Sequence, residues 1–193
     1  MSAKFLGACA SVISALGWAS GPVVAQGAAP VFYTVILPSG EFGSSIFLRE
    51  LLAGLSAAQV FCSKLQDKAF MVDCLADRMD RVARDIPEGT QYDEVRAVLR
   101  QTSRELSQLA VAHKDPARNR ARVAVPNAAG QRSSRALVPV TSQMQTQVNA
   151  AAAAILEEAA TVLLRSAEAA PQRSGQYTQI AKALASNKLL LRS

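Results

Sequence analysis

The sequence predicts an all-α protein: a small helical bundle that contains a disulfide-stapled helical hairpin and follows a cleaved signal peptide. Half of the 193 residues are hydrophobic but only 5% are aromatic, and helix-forming Ala, Leu, Gln, Glu and Arg fill the long periodic stretches. Two long segments carry apolar residues at alternating steps of three and four, the spacing of one helical face. An even pair of cysteines remains once the N-terminal segment is removed.

Residues 1–25 have the organisation of a signal peptide. Lys4 supplies a short positive region, and a mostly apolar run from Phe5 to Trp18 follows it. Small or modest side chains precede the expected cleavage site after Ala25, with Ala19 as the second choice. The apolar run is shorter than the roughly 20 residues that a membrane span needs, so a retained anchor is the weaker alternative. We therefore expect a periplasmic or secreted protein.

Residues 26–44 are predicted to form an extended N-terminal segment. Residues 31–37, VFYTVIL, are rich in β-branched and aromatic side chains, and a Pro-Ser-Gly sequence closes the run. No second run of similar strength follows, so we expect this segment to lie along the helices. The apolar residues after Ser45 then predict a short helix that Gly54 breaks.

Cys62 and Cys74 are predicted to form a disulfide bond. If Cys9 leaves with the signal peptide, these two remain, in a compartment where disulfides persist. In one continuous helix they would lie about 18 Å apart, beyond disulfide reach, so the bond requires a turn between them. A redox site would need Cys-x-x-Cys and a zinc site four ligands, whereas the chain has a single histidine, His113. Two free buried thiols are the alternative.

The residues around the cysteines supply that turn. Ser56 to Gln59 is typical of a capping box that starts a helix through Leu65, and Asp67 is a natural cap for a second helix. Apolar residues then recur at steps of three and four until Pro87 stops the helix. An antiparallel hairpin that turns near Asp67 would place the two cysteines opposite each other.

A long amphipathic helix is predicted from about Gln91 to Ala112, and with the hairpin it forms a unit over residues 45–113. Its length suits a helical bundle rather than a long coiled coil. One apolar stripe at steps of three and four predicts its inner face: Tyr92, Val95, Leu99, Thr102, Leu106, Leu109 and His113.

Residues 114–140 are predicted to be a basic flexible linker that could bind anions. Outside it the exported chain carries equal numbers of basic and acidic residues, so its whole positive excess lies here. Candidate ligands are phospholipid head groups, cell-wall polymers or nucleic acid, held by attraction that salt weakens. The absence of aromatic residues between Lys114 and Arg135 removes the stacking platform of a single-strand binder, and a plain hydrated connector is the alternative. The candidate anion-binding residues, against one acid, are Lys114, Arg118, Arg120, Arg122, Arg132 and Arg135.

Residues 141–193 are predicted to complete the bundle with C-terminal helices. A helix from about Ser142 to Ala167 is followed by Pro171 and a short last helix, and the Leu189 to Leu191 triplet is expected to dock. The predicted inner faces are Met144, Val148, Ala151, Ile155, Ala159 and Val162 in the long helix, and Tyr177, Ile180, Ala181 and Leu184 in the short one.

Motifs of catalysis are absent from the sequence. It has no Gly-x-Ser-x-Gly, Ser-x-x-Lys, His-Glu-x-x-His or phosphate loop, and we expect no cofactor and no metal site. Asp73, Asp77 and Asp80 share one helical face, but Arg residues are interleaved with them, so we expect ion pairs on a solvated surface.

Leu55 to Gln59, LSAAQ, resembles the Leu-Thr-x-x-Gln motif of the small helical periplasmic chaperones related to Spy and CpxP, with Ser in the threonine place. The resemblance implies an all-α protein that cradles unfolded clients or senses envelope stress, although the same residues are typical of a helix cap. Our main expectation is an exported, non-catalytic binding or scaffolding protein of the cell envelope. Its partner would be a protein or an anionic envelope component, with peripheral membrane contact possible and no specific nucleic acid. A chaperone of that type is the alternative, an envelope enzyme the second, and the oligomeric state is open.

Overall fold

The computed structural model describes residues 45–125 and 132–192. The predicted signal peptide and the extended segment of residues 26–44 lie outside the described residues. Within these bounds the chain forms five α-helices and no strand longer than an isolated bridge, so the predicted all-α bundle is confirmed. The helices are α1 (Ser45–Ser63), α2 (Met71–Arg84), α3 (Asp93–Ala112), α4 (Gln145–Ala169) and α5 (Ser174–Ser186).

The first two helices form the predicted hairpin. Asp67 caps a single 3₁₀ turn, Lys68–Phe70, by accepting a hydrogen bond from the N–H of Ala69 at 3.0 Å, and α2 follows directly. The turn brings the Cα atoms of Cys62 and Cys74 to 6.0 Å, and the two sulfurs are bonded. Both cysteines are fully buried, so the staple lies inside the core. The predicted disulfide is confirmed.

The predicted break in the first helix is wrong. α1 runs without interruption through Gly54 and Ser56, and Ser56 is an exposed mid-helix residue rather than a cap. A Cβ at position 54 would lie 3.4 Å from Cγ2 of Val82, so Gly54 faces α2 at close range. Tertiary packing therefore overrides the weak helix propensity of glycine here.

The third helix has the predicted position and inner face. Gly89, with a φ of 72°, makes the turn after α2 in a conformation that other residues rarely adopt. The apolar stripe from Tyr92 to Leu106 is buried, whereas Leu109 and His113 are half-buried near the helix end. Ser103 donates a buried hydrogen bond to the carbonyl oxygen of Ala76 at 2.7 Å. This bond ties α3 to α2.

The buried face of α4 is displaced from the predicted one. Ala151, Ile155 and Val162 are only half-buried and flank the buried row. The helix is rich in Ala and apolar on several sides, so its orientation is set by contacts with α3 and α5 rather than by its own periodicity. The buried residues of α4 are Val148, Asn149, Ala152, Leu156, Ala159, Ala160, Leu163 and Ala167.

The C-terminal elements have the predicted roles. The inner face of α5, from Tyr177 to Leu184, is buried, and the Tyr177 hydroxyl donates to the carbonyl oxygen of Gln91 at 3.2 Å. A final 3₁₀ helix, Asn187–Arg192, contacts α4 and α1 through buried Leu191. Of the C-terminal triplet, Leu191 docks fully and Leu190 in part, whereas Leu189 is exposed.

Among the residues that the structure describes, two helical stretches are long and apolar enough to cross a membrane by length and composition alone, Ile46–Ser63 and Ser142–Ala169. Each supplies a row of buried side chains to the core of the bundle. Helices that form the core of a globular bundle pass the same test of length and composition.

We name residues 114–140 the strap. Its ends meet, because Lys114 bridges Val140 and the N–H of Thr141 donates to the carbonyl oxygen of His113 at 3.0 Å. Inside these ends Ala121 and Leu137 exchange two backbone hydrogen bonds, at 3.0 and 2.8 Å. The described part of the strap, 114–125 and 132–140, therefore consists of two antiparallel segments paired at isolated bridges, with a turn at residues 116–117 and bends at 118 and 134–135.

This arrangement differs from the predicted flexible linker. Leu137, Val138 and Val140 are fully buried, and Val125 is nearly so. These apolar residues can leave water only by packing on the helices, and their backbone groups find partners across the strap and on α2.

Candidate anion-binding face

The returning half of the strap runs antiparallel to α2 and is anchored at a buried carboxylate. The guanidinium of Arg135 donates two hydrogen bonds to Asp73, at 2.6 and 2.5 Å, and the N–H of Val138 donates a third at 2.8 Å. Asp73 is fully buried, so its charge is balanced within the protein rather than by water. Arg135 is therefore a structural residue of the strap.

A second anchor lies one turn further along α2. Asp77 accepts hydrogen bonds from both the N–H and the hydroxyl of Ser134. Arg78 donates from Nη2 to the carbonyl oxygen of Arg132 at 2.8 Å, and its guanidinium carbon lies 3.5 Å from the centre of the Phe61 ring. These contacts fix residues 132 to 134 against the hairpin.

The interpretation of the α2 acids as a solvated ion-pair surface is wrong for two of the three. Asp73 and Asp77 are buried, and so is Arg78, because the strap covers this face of the helix. The interpretation holds for Asp80, whose exposed pair with Arg84 measures 2.9 Å. The sequence contains a signal for this pairing, since acids spaced at four residues in α2 can be matched by the arginines of a basic segment elsewhere.

The electrostatics of the anchors follow from burial and pairing. The hydrogen bonds from Arg135 to Asp73 raise the pKa of Arg135 against the opposing effect of burial. Burial lowers the pKa of Arg78, and the charge of Asp77 opposes that shift. Both arginines remain charged at neutral pH because the ordinary arginine pKa is far above 7.

Arg118 is also paired with an acidic residue of the hairpin. It forms an ion pair with Asp67, the residue that caps the hairpin turn, and its guanidinium carbon lies 5.2 Å from the centre of the Phe70 ring. Burial raises the pKa of Asp67, but the hydrogen bonds from Arg118 and the Ala69 N–H outweigh it, and the pKa is lowered overall. The pair is largely exposed and fastens the outgoing half of the strap to the hairpin turn.

The other four candidate residues, Lys114, Arg120, Arg122 and Arg132, have exposed side chains and no ion pair within the described residues. Arg132 lies opposite Ala124 in an antiparallel bridge. Alternation of side chains along an extended chain places Arg122 diagonally opposite Arg132 on the same side.

Arg120 lies two residues before Arg122, so the same alternation places its side chain on the same side. Val125 and Ser133 take the opposite side and are buried. We name the exposed side formed by Arg120, Arg122 and Arg132 the arginine face. By this alternation the three arginines share one side of the strap, and the anchors hold the half that carries Arg132.

The arginine face has the chemistry of an anion-binding site. Guanidinium groups donate in a planar fork that matches phosphate and carboxylate oxygens. In residues 45–125 and 132–192, no group of three or more His, Cys, Asp or Glu side chains lies close enough to hold a metal ion.

The chain matches no protein-family model, no curated protein and no solved structure.

Proposed function

We propose that the protein is an exported, non-catalytic binding protein of the cell envelope that attaches to an anionic surface through its arginine face. The observation that carries the proposal is the division of the six basic candidates. Arg118 and Arg135 are paired with acids of the hairpin, and Lys114 is exposed at the end of the strap. Arg120, Arg122 and Arg132 are exposed without acidic partners in the described chain.

The physical properties of the arginine face favour a charged lipid surface. Each basic side chain near an anionic bilayer contributes about 1 kcal/mol, so three contribute about 3 kcal/mol. The anchored backbone loses little conformational freedom on binding, which reduces the entropic cost. Between Lys114 and Val125 and from Arg132 to Val140 there is no aromatic side chain on which nucleic-acid bases could stack.

Replacing the three arginines tests the proposal. We expect Arg120→Gln, Arg122→Gln and Arg132→Gln together to weaken binding to vesicles of anionic phospholipid by about 100-fold, the equivalent of about 3 kcal/mol. The salt dependence of the affinity should become shallower as well, because fewer counterions are released. Vesicle co-sedimentation over a range of salt concentrations measures both quantities.

The matched control removes the same charge elsewhere. Arg104→Gln, Arg165→Gln and Lys182→Gln alter three exposed side chains outside the strap and should leave most of the affinity intact. Equal losses in the two triple variants would show that net charge alone drives binding. Wild-type binding that does not respond to salt would contradict the proposal directly.

Export is the second part of the proposal, and intact mass tests it. We expect protein recovered from the envelope fraction to begin at Gln26, with Cys62 and Cys74 alkylated only after reduction. The buried disulfide is compatible with an oxidising compartment. A full-length product with freely alkylated thiols would overturn the proposed location.

A periplasmic chaperone similar to Spy and CpxP is the alternative function. It draws on the resemblance at residues 55–59 and on the exposed apolar side chains of Ile46 and Val60 on α1, which could contact unfolded clients. Such a protein would suppress client aggregation at near-stoichiometric amounts, and the arginine-face variant would retain this activity. Clients that aggregate unchanged in its presence would remove the alternative.

A further inference from the structure

A groove between α1 and α2 is separate from the arginine face. Its volume is about 220 Å³, and it is only partly enclosed. On the α1 side it is lined by small residues and one aromatic ring, including Gly54, Ala57 and Phe61. On the α2 side it is lined by Arg78, Arg81 and Asp85 among others. One wall is therefore apolar and the other carries two cations.

Arg78 is the feature that points to a ligand. Its exposed fraction is 8%, and Phe61 and the carbonyl oxygen of Arg132 hold the guanidinium in place. Its Nε atom is buried and has no hydrogen-bond acceptor within the described residues; the nearest carboxylate oxygen, on Asp77, lies 3.8 Å away. A buried donor without an acceptor is unfavourable, and the positive charge of Arg78 at the wall of the groove favours an anionic occupant.

The remaining charges favour the same occupant. Arg81 is exposed and forms no ion pair in the part of the chain that the structure describes. Asp85 is exposed and is the single acid among the groove-lining residues, so the lining carries a net positive charge. A ligand that matches this groove has one anionic end and a short apolar body.

We propose that the groove binds a free aliphatic carboxylate of medium chain length. The carboxylate lies between Arg78 and Arg81, and the alkyl chain lies along Ala57 and Phe61. The volume is below the range typical of drug-sized ligands, which suits a single alkyl chain rather than a complete phospholipid. Because Arg78 also holds Arg132, a ligand here would lie beside the anchored end of the strap without using the arginine face.

Isothermal titration calorimetry of the full chain with sodium octanoate tests the proposal. We expect saturable binding that falls at least about tenfold for Ala57→Leu, because the larger side chain occupies the groove. Ala53→Leu is the matched control. Ala53 is exposed one turn earlier on α1 and does not line the groove, so octanoate binding should not change.

The contribution of charge is tested with a neutral ligand and a charge variant. Octanol should bind at least about tenfold more weakly than octanoate, and Arg81→Gln should weaken octanoate but not octanol. Arg104→Gln removes an exposed charge on α3 and should affect neither ligand.

Three results would overturn the proposal: no saturable binding to the wild-type chain, equal binding by Ala57→Leu, or equal affinity for octanol and octanoate. Circular dichroism of each variant shows whether the helices are intact. The arginine-face triple variant should bind octanoate like the wild type, so failure at the groove is separable from failure of the proposed function.

Discussion

Arg135→Ala is expected to lower the free energy of unfolding by about 3–5 kcal/mol, because it leaves a buried charge without its partner. Asp73 is fully buried and receives two of its three hydrogen bonds from Arg135. Without the guanidinium only the N–H of Val138 would face the carboxylate. Urea denaturation followed by circular dichroism measures the change.

Arg132→Ala is the matched control for this prediction. Arg132 lies on the same half of the strap, but its side chain is exposed and its contact with Arg78 uses the backbone carbonyl group. Its removal should therefore change stability by less than about 0.5 kcal/mol. Adding Asp73→Asn to Arg135→Ala neutralises the stranded charge and should recover part of the loss. A stability of Arg135→Ala within the range of the control would show that the strap is not held by this pair.

The elements that sequence predicted well are those whose determinants are local. The cap at Asp67, the stop at Pro87 and the stripe of α3 each depend on residues within one or two turns. The disulfide followed from the same logic, because a hairpin turning at Asp67 leaves Cys62 and Cys74 opposite each other.

The features that the sequence does not predict depend on residues distant along the chain. The Arg residues close to Asp73 in α2 predict a solvated ion pair, yet the partner of Asp73 is Arg135, 62 residues away. Gly54 predicts a helix break from its propensity alone, whereas its close approach to Val82 on the next helix cannot be seen in the sequence. The orientation of α4 is not determined by its own sequence for a related reason, since this Ala-rich helix has apolar residues on both sides of its buried row.

The candidate site shows the same division between local and distant information. Composition identified the basic segment, because a cluster of like charges is visible in the sequence. It could not separate Arg118 and Arg135, which neutralise acids of the hairpin, from the three residues of the arginine face. That separation depends on the register of the strap against α2.

Removing the disulfide with Cys62→Ala and Cys74→Ala is expected to lower the free energy of unfolding by about 3 kcal/mol. The bond closes a short loop and so restricts the unfolded chain, and its sulfur atoms also fill the core. Urea denaturation of the variant and its parent, both carrying Cys9→Ala to prevent other pairings, measures the effect. Reductant should destabilise the parent to a similar extent and leave the variant unchanged.

The loss should extend to the strap, because both of its anchors adjoin the disulfide. Phe61, next to Cys62, packs its ring against the guanidinium of Arg78, which donates a hydrogen bond to the carbonyl oxygen of Arg132. Asp73, next to Cys74, accepts hydrogen bonds from Arg135. Once α1 can move relative to α2, backbone amides of residues 132 to 138 should exchange hydrogen faster, whereas those in the middle of α3 should change less. Unchanged exchange in the strap would show that α2 alone holds it. In that case the disulfide stabilises the hairpin without positioning the arginine face.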